Sequence, residues 1–376
     1  MSAGIYLHFP FCKVKCMYCD FYSIPKREDE IPKFVESLVN EISLYADSHD
    51  IDWKFDTIFL GGGTPSLFTT KGLELILETL HQNFDLSSVK EITLEANPGE
   101  APFGKLKAFR KLGVNRLSMG FQSFDTDLLN FLGRIHGPED CFKTFDNARK
   151  AGFDNINADL IFDIPGQSLR KWKNDLKTLV DLQPEHISAY SLTVEENTAL
   201  FGLVNSGKVK MPSDILDSAM FKHTRNYLPE NGFNSYEISN FCKTGMECKH
   251  NLHYWNLDNY LAFGPSAHGF NGEVRWWNVR SLDEYFNKVK NNEPPLENFE
   301  VLTNRDHFNE LIFNGLRMID GIPKEKLATL FSGDFDDYLN AKVSKWDGLI
   351  ISENKLVLNA KGIMLADEIA SDLFID

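Results

Sequence analysis

Short apolar segments alternate with amphipathic segments over residues 4–192, and this alternation constrains the fold more than any other feature of the sequence. The apolar segments have the length of strands. In the segments between them, apolar residues recur at steps of three and four, as on one face of a helix. Six strand-helix repeats predict a parallel sheet, because consecutive parallel strands need a crossover connection that a helix usually supplies.

The first predicted strand lies just before residue 12, and five more follow it, at 55–60, 91–96, 115–121, 155–165 and 186–192. The predicted helices cover 31–42, 73–84, 102–113, 125–132, 139–151 and 168–182. Segments rich in cysteine, glycine or polar residues follow almost every predicted strand. This pattern favours a sheet that closes part-way into a barrel over an open doubly wound sheet. The predicted fold class is α/β, a partial (β/α)6 barrel.

The alternation weakens beyond about residue 200, and we divide the chain into three parts. Residues 1–200 are expected to form the partial barrel. Residues 201–295, with a helical stretch at 213–231, are expected to form an α+β extension that adds antiparallel structure to the barrel edge. Residues 296–376 are mainly helical and end in a strand-turn-strand and a helix, like a winged helix. Because this last part has eight basic and fifteen acidic residues, it is not expected to bind nucleic acid.

Composition indicates a globular chain without nucleic acid as its main partner. The formal charge is −15, from 39 basic and 54 acidic residues, and such a surface repels phosphate. No segment approaches the length of a transmembrane span, and the N-terminus does not resemble a signal peptide. Six cysteines are too few and too clustered for a disulfide framework. We expect a cytoplasmic protein without a transmembrane segment, for which transient membrane contact stays open.

Three cysteines, Cys12, Cys16 and Cys19, form a CxxxCxxC pattern surrounded by aromatic residues. Three thiols at this spacing can converge on one metal centre. An iron-sulfur cube held by three thiolates has one iron without a protein ligand, and a small molecule can bind that iron.

The spacing alone leaves other interpretations open. Cys16 and Cys19 by themselves could be a redox pair. A zinc site would need a fourth protein ligand. The candidates for that ligand are His8, Cys242, Cys248 and His250.

A glycine-rich segment and four polar residues are expected at the carboxyl ends of the strands, where a barrel brings them to one rim. The segment is GGGTPS at 61–66, and the polar residues are Glu95, Gln122, Asp159 and Thr193. Backbone amides of the glycines can donate hydrogen bonds to a small polar ligand. The carboxylate of Glu95 can accept from an ammonium group, and that of Asp159 can accept from the two hydroxyls of a ribose. Each residue taken singly is also explained as a turn or capping residue.

Seven segments together resemble one family, the radical S-adenosylmethionine (SAM) enzymes, and within it the oxygen-independent coproporphyrinogen-oxidase-like proteins. The resemblance covers nearly the whole chain. In order, the segments are YLHFPFCKVKCMYCDF, IFLGGGTPS, LEANPGE, RLSMGFQSF, LGRIHG, ADLIFDIPGQ and HNLHYW.

The resemblance implies a radical SAM barrel in which Cys12, Cys16 and Cys19 hold a 4Fe-4S cluster whose open iron binds SAM. Electron transfer from such a cluster cleaves SAM to a 5′-deoxyadenosyl radical, and the protein positions and shields this chemistry. By position, the resemblance also implies which residues line the SAM site. They are Tyr6, Tyr18, Gly62, Gly63, Thr64, Glu95, Gln122, Arg134, Asp159 and Thr193.

Phe21 distinguishes two branches of this family. Oxygen-independent coproporphyrinogen III dehydrogenases have the pattern CxxxCxxCxC, with a fourth cysteine two places after the third. In this chain that place is occupied by Phe21. The chain therefore resembles the HemW-like haem chaperones more closely, which implies delivery of haem to apo-proteins and no assigned catalytic residue. The dehydrogenase activity and a zinc-stabilised binding module remain the alternatives.

The HNxxYW motif is the haem-binding candidate that the resemblance implies. It provides His250 as an iron ligand, with Tyr254 and Trp255 to cover the macrocycle. His253 and His268 are rival ligands. The sequence assigns no role to the remaining cysteines, Cys141, Cys242 and Cys248.

Overall fold

A computed structural model describes residues 2–49 and 51–375 of the chain, and these contain seventeen β-strands and fourteen α-helices. The strands, in chain order, are β1 (Ser2–Phe9), β2 (Phe11–Cys12), β3 (Ile24–Pro25), β4 (Lys54–Gly62), β5 (Glu91–Ala96), β6 (Arg116–Gln122), β7 (Ile156–Phe162), β8 (His186–Ser191), β9 (Asn234–Ser235), β10 (Asn240–Cys242), β11 (Tyr260–Phe263), β12 (His268–Phe270), β13 (Val274–Asn278), β14 (Leu296–Val301), β15 (Ile322–Pro323), β16 (Leu349–Ser352) and β17 (Lys355–Leu358).

The helices are α1 (Ile31–Ser48), α2 (Thr70–Asn83), α3 (Phe103–Lys111), α4 (Thr126–Leu132), α5 (Pro138–Lys150), α6 (Leu169–Asp181), α7 (Ala199–Asn205), α8 (Asp214–Glu230), α9 (Lys249–Asn256), α10 (Leu282–Lys290), α11 (Asn304–Gly315), α12 (Lys324–Leu330), α13 (Phe335–Lys345) and α14 (Ala366–Asp372). None of them, within the described part of the chain, combines the length and the apolar character that a membrane crossing requires.

Twelve strands form one sheet, in the order β14-β13-β12-β11-β1-β4-β5-β6-β7-β8-β10-β9. Six neighbouring strands at its centre, β1 and β4 to β8, run parallel, and helices connect them. This is the predicted partial (β/α)6 barrel. The sheet stays open, because its edge strands β9 and β14 do not pair with each other.

The connecting helices bury the apolar face that the three- and four-residue periodicity predicts. On α1, Phe34, Leu38 and Ile42 are fully buried against the sheet. Helix α6 begins where the Ser168 hydroxyl accepts a hydrogen bond from the Lys171 amide, and such a cap satisfies an amide that the helix itself leaves free. The strands that this packing aligns all end at one edge, next to the clustered cysteines.

The part of the chain after about residue 200 differs from the prediction in three ways. KHNLHYW is helical and forms most of α9 instead of extended structure. Strand β11 joins β1 in parallel, with Gly4 beside Tyr260, so a seventh strand continues the parallel sheet before β12, β13 and β14 add the expected antiparallel hairpins. The short helix α7 was also not predicted.

The C-terminal part has its own small sheet, in the order β15-β17-β16, and its own apolar cluster. The predicted strand-turn-strand is β16 and β17, which pair with Leu349 beside Leu358. This part contacts α9 through α11. The Asn314 side chain donates to the Tyr254 carbonyl at 3.4 Å, and the Arg317 guanidinium lies 5.3 Å from the ring centroid of Trp255.

Candidate metal centre and cofactor site

The three clustered cysteines lie on a closed loop at the carboxyl end of β1. Strand β2, which contains Cys12, pairs with β3, and the Ile24 amide donates to the Pro10 carbonyl at 2.6 Å. The two ends of the loop are therefore joined. Cys16 and Cys19 lie between them, and the Cys19 amide donates to the Cys16 carbonyl at 3.3 Å.

Backbone contacts fix the middle of this loop to the barrel. The Met17 amide donates to the Leu132 carbonyl at 3.3 Å, and the Met17 carbonyl accepts from the Leu200 amide at 2.8 Å. Met17 and Tyr18 also pack against an apolar cluster that includes Leu128. Helices α4 and α7 thus hold the cysteines in place.

Two of the three sulfur atoms face hydrogen-bond donors. The Thr64 hydroxyl lies 3.4 Å from Cys12 Sγ, and Arg134 Nη1 lies 3.4 Å from Cys16 Sγ. Burial, with smaller contributions from Cys19 and Cys16, raises the pKa of Cys12 to about 11, and burial also raises the pKa of Cys19. Cysteine binds metal as a thiolate, and hydrogen-bond donors such as Thr64 and Arg134 stabilise that form.

The donor set fits a multi-iron cluster. In residues 2–49 and 51–375, no three or more His, Cys, Asp or Glu side chains are close enough together to hold a single metal ion. In a cube each thiolate binds a different iron, so the thiolates need not converge on one point. Three thiols on one loop, with donors aimed at two sulfurs, match this requirement.

Three candidates for a fourth zinc ligand lie at the opposite end of the sheet. Cys248 Sγ is 3.7 Å from Oε1 of Glu91, the first residue of β5, and Cys242 pairs with His186, the first residue of β8. His250 lies in the first turn of α9, which begins directly after Cys248, and its amide also donates to Glu91. A six-residue strand is roughly 16 Å long, so these side chains are far from the cysteine loop.

The glycine segment packs directly on the cysteine loop. The Gly63 amide donates to the Phe9 carbonyl at 2.6 Å, and the Thr64 amide to the Phe11 carbonyl at 2.8 Å. A Cβ atom on Gly63 would stand 2.5 Å from the Phe11 carbonyl oxygen. Gly62 has a φ of +106°, and a Cβ there would stand 2.7 Å from the His8 ring. Close backbone approach therefore explains both glycines.

Two half-buried carboxyl groups, Glu95 and Asp159, lie near this segment. Glu95 Oε2 accepts from the Gly62 amide at 3.1 Å, and Asp159 Oδ1 accepts from the Asn157 side chain at 2.7 Å. Burial, and then the charge of Asp159, raises the pKa of Glu95 to about 8, and burial raises the pKa of Asp159. Such a pair favours a cationic ligand, which would let both groups ionise.

Asp159 lies elsewhere on its strand than we expected. It is the fourth of seven residues of β7, beside Gly120 of β6, and not at the strand end. Its charge still acts on Glu95 and raises the pKa of that carboxyl group. The rim prediction is correct for Glu95, Gln122 and the glycines, which do stand at or next to strand ends.

A chain of hydrogen bonds links two of the cysteines, and its central residue, Asn97, was not predicted. Arg134 Nη2 donates to Asn97 Oδ1 at 2.5 Å, and Asn97 Nδ2 donates to Thr64 Oγ1 at 2.9 Å. Thr64 and Arg134 in turn contact Cys12 and Cys16. We call this chain the Cys12–Cys16 bridge. The position of Asn97, directly after β5 in LEANP, was the available signal.

Of the other predicted cofactor residues, Gln122 and Thr193 lie at or just after strand ends, whereas Tyr6 is the fifth of the eight residues of β1. The Tyr6 hydroxyl lies 3.0 Å from His8 Nδ1, and burial, followed by Glu95, raises the pKa of Tyr6. Burial also raises the pKa of Tyr18. Gln122 ends β6 with a φ of +67° and is buried. Thr193 follows β8 in an exposed segment.

The HNxxYW motif lies in the interior near the amino ends of the strands. His250 is fully buried, with Nδ1 2.8 Å from the Thr57 hydroxyl and Nε2 2.9 Å from the Tyr254 hydroxyl. Burial lowers the pKa of His250 to about 3. Trp255 packs beneath Arg317. His250 could reach haem iron only after one of these hydrogen bonds breaks.

The two rival histidines differ sharply in environment. His253 Nε2 lies 2.8 Å from Asp56 Oδ1, and Nδ1 lies 3.0 Å from Asp258 Oδ2. Although burial opposes it, hydrogen bonding to these carboxylates raises the pKa of His253 to about 9, so the ring is protonated at neutral pH. His268 is exposed on β12, with its ring centroid 5.8 Å from that of Trp277.

Comparison with known proteins gives two family matches. Residues 6–179 match the family described as "Radical SAM superfamily", and residues 302–365 match the family described as "HemN C-terminal domain". The chain is 36% identical to the protein named Heme chaperone HemW of Bacillus subtilis (strain 168) over 371 residues, which cover 97% of each chain. It is 32% identical to the Danio rerio protein named Radical S-adenosyl methionine domain-containing protein 1, mitochondrial, over 100% of this chain and 88% of that one.

A solved structure shares the whole architecture. Coproporphyrinogen III oxidase (HemN) from Escherichia coli aligns with 99% of this chain and 89% of that chain, with a TM-score of 0.84 and 22% identity. This likeness establishes the fold, and the near-full-length sequence matches establish the relationship. The chain belongs to the HemW family of the radical SAM superfamily.

Proposed function

We propose that the protein is a haem chaperone that holds a 4Fe-4S cluster on Cys12, Cys16 and Cys19 and binds SAM at the open iron. The observation that carries the cluster proposal is the Cys12–Cys16 bridge. Its donors, Thr64 and Arg134, point at two sulfurs on one loop. Neutral buried thiols would not need a guanidinium beside them, whereas an anionic cluster does.

The proposed SAM site extends from this bridge into the barrel. When bound, the cluster and SAM supply reductive cleavage of a carbon–sulfur bond. Glu95 and Asp159 provide negative charge for the ammonium and ribose groups, and Arg134 provides donors for the carboxylate. Packing of the aromatic residues next to the loop keeps water away. The remaining proposed residues are Tyr6, Tyr18, Gly62, Gly63, Gln122 and Thr193.

Haem binding and its delivery to apo-proteins are the finer part of the proposal. The name of the Bacillus subtilis relative, Heme chaperone HemW, supports it. Phe21 supports it as well. Its exposed phenyl ring stands at the position where the CxxxCxxCxC pattern of the coproporphyrinogen dehydrogenases has a further cysteine. We propose a cytoplasmic location, with unidentified haem-receiving proteins as partners.

We also propose a division of labour along the chain. Residues 1–200 would hold cluster and SAM, and residues 201–295 would complete the barrel edge. Residues 296–376 would stabilise α9 from outside. The contact of Arg317 with Trp255 and the separate apolar cluster of this last part support that division.

Anaerobic reconstitution with iron and sulfide tests the cluster. We expect about four irons per wild-type chain and a brown protein, and loss of that iron in the Cys16→Ala variant. The Cys141→Ala variant is the matched control, because Cys141 is a buried cysteine of α5 outside the loop. Binding of zinc alone, without an iron-sulfur spectrum, would contradict the proposal.

The oxygen-independent coproporphyrinogen III dehydrogenase activity is the second candidate, and the common fold with HemN favours it. Incubation of the reconstituted protein with coproporphyrinogen III, SAM and a reductant distinguishes the two. We expect no vinyl product from the wild type. Formation of that product would establish the dehydrogenase instead.

A further inference from the structure

We propose that His268 is the axial ligand of the bound haem iron, and that the haem lies on a surface formed by His268, Trp277, Arg280 and Phe21 outside the cysteine loop. This inference rests on the proposed haem-binding function. It moves the haem away from the HNxxYW motif, whose side chains are committed to the interior.

His268 is the candidate histidine that is available to a ligand. It begins β12, its side chain is exposed, and it stands directly across from Trp277 of β13 in the antiparallel ladder. The two rings are nearly parallel, at 22°. In the described residues, neither ring nitrogen of His268 makes a hydrogen bond, whereas both nitrogens of His250 and of His253 do.

The charges around His268 keep its ring neutral. Partial burial, and then Arg275 and Arg280, lower the pKa of His268, and only Glu300 opposes them. A neutral imidazole has the free lone pair that an iron ligand needs. The protonated ring of His253 lacks it.

Arg280 joins the surface around His268 to the far side of the cysteine loop. Its Nη2 donates to the Asp20 carbonyl at 2.9 Å, and it lies 3.8 Å from the Asp20 carboxylate. Two residues further on, the Leu282 amide donates to the Tyr22 hydroxyl at 2.7 Å. Phe21 lies between these two attachment points, and 69% of its surface is exposed.

This combination matches the chemistry of haem. The macrocycle is a flat apolar surface, for which Phe21 offers an exposed aromatic ring and Trp277 a half-buried one. The propionates are anionic, and Arg280, whose side chain is 61% exposed, can exchange its Asp20 contacts for a propionate. An open site with one imidazole on one side also suits a protein that must release its haem.

Haem titration of the full-length protein, with absorption and electron paramagnetic resonance spectra, tests the inference. We compare the wild type with His268→Ala and with His81→Ala. His81 is the matched control, an exposed histidine near the end of α2. We expect the dissociation constant of His268→Ala to rise at least about tenfold and its imidazole–iron signature to disappear, with no change for His81→Ala.

A second pair of measurements separates the contributions of the surface. Phe21→Ala should weaken haem binding while keeping the imidazole signature. Haem dimethyl ester, which lacks propionate charge, should bind wild type and Arg280→Gln equally, whereas free haem should bind the variant more weakly.

Wild-type affinity and signature in His268→Ala would overturn the inference while leaving the proposed function intact. Loss of the signature in a His250→Asn variant that keeps its native circular dichroism would do the same, because it would return the ligand to HNxxYW. Absence of stoichiometric haem binding to the wild type would overturn the proposed function and this inference together.

Discussion

Arg134 contacts Cys16 with one guanidinium nitrogen and donates hydrogen bonds to Asn97 and Gly120 with another. Nη1 lies 3.4 Å from Cys16 Sγ, and Nη2 lies 2.5 Å from Asn97 Oδ1 and 2.9 Å from the Gly120 carbonyl. Burial disfavours its charge, but Tyr18 and Cys16 raise the pKa of Arg134 overall. The Arg134 guanidinium therefore connects the cysteine loop to Asn97, which follows β5, and to Gly120 of β6.

The Arg134→Lys variant tests the importance of this geometry. An ammonium group cannot contact the sulfur, the amide and the carbonyl together, because only the planar guanidinium presents fixed donors in two directions. We expect reconstituted iron to stay near the wild-type level and SAM affinity to fall about tenfold, or about 1.4 kcal/mol. Equilibrium dialysis measures the affinity for SAM. Arg170→Lys, on the exposed side of α6, should bind SAM like the wild type.

SAM binding should release a proton from Glu95 at pH 7. Burial and Asp159 raise the pKa of Glu95 to about 8, so the free protein holds that proton at pH 7. An arriving ammonium group lowers the pKa again, and about one proton leaves. Calorimetry in buffers of different ionisation enthalpy counts the protons. The release should vanish at pH 9 and in Glu95→Gln, and an unchanged release in Glu95→Gln would assign it to another group.

The fold should lose stability above neutral pH through His253. The pKa of His253 is raised from 6.5 to about 9 in the folded protein, so its contribution is fully present below pH 6.5 and is lost as the pH rises through about 9. We expect a loss of about 2 kcal/mol in the free energy of unfolding, less than the full shift because Asp258 is partly exposed. Urea unfolding at pH 6 and pH 9.5 measures it, and His253→Asn should show a smaller change. Equal pH dependence in both proteins would refute this role.

The contact between α11 and α9 should contribute to stability. Arg317 lies over Trp255 and 3.8 Å from the fully buried carboxylate of Glu237. Arg317→Ala removes a cation–π contact and the ion pair with Glu237, so we expect the free energy of unfolding, measured with heat or urea, to fall by about 1–2 kcal/mol. Arg305→Ala, which removes an exposed arginine in the first turn of α11, should change stability by much less. Similar losses in both variants would show that the contacts of Arg317 with Trp255 and Glu237 do not stabilise the fold.

The barrel was predictable because each of its elements satisfies local rules. Strand β5 occupies the predicted residues 91–96, and the predicted helix at 168–182 differs from α6 by one residue at each end. In these segments apolar periodicity and burial agree, as in Leu176 and Leu179 of α6, which are fully buried.

Helix α9 was not predictable, because a distant carboxylate stabilises its start. Glu91 accepts hydrogen bonds from the amides of Lys249 and His250, both at 3.1 Å. The local sequence offers no capping side chain, and its histidine and aromatic residues have no strong helix preference. A cap that is 158 residues away in sequence leaves no local signal.

The site was predictable to the extent that its residues follow strands. Glu95 and the glycines were identified in this way, and the sequence resemblance added Arg134. Asn97 could not be ranked, because its importance comes from two partners, Thr64 and Arg134, that only the folded chain brings together. The same reasoning explains His250, whose burial depends on Thr57 and Tyr254 and is invisible in the motif.

Transfer of haem from the reconstituted protein to an apo-haemoprotein, with and without SAM and a reductant, is the most direct test of a radical SAM haem chaperone. We predict that the protein loaded with cluster, SAM and haem transfers haem faster than free haem binds under the same conditions. Cys16→Ala should lose this advantage. Transfer at the same rate by wild type and Cys16→Ala, in the presence and absence of SAM, would contradict the account.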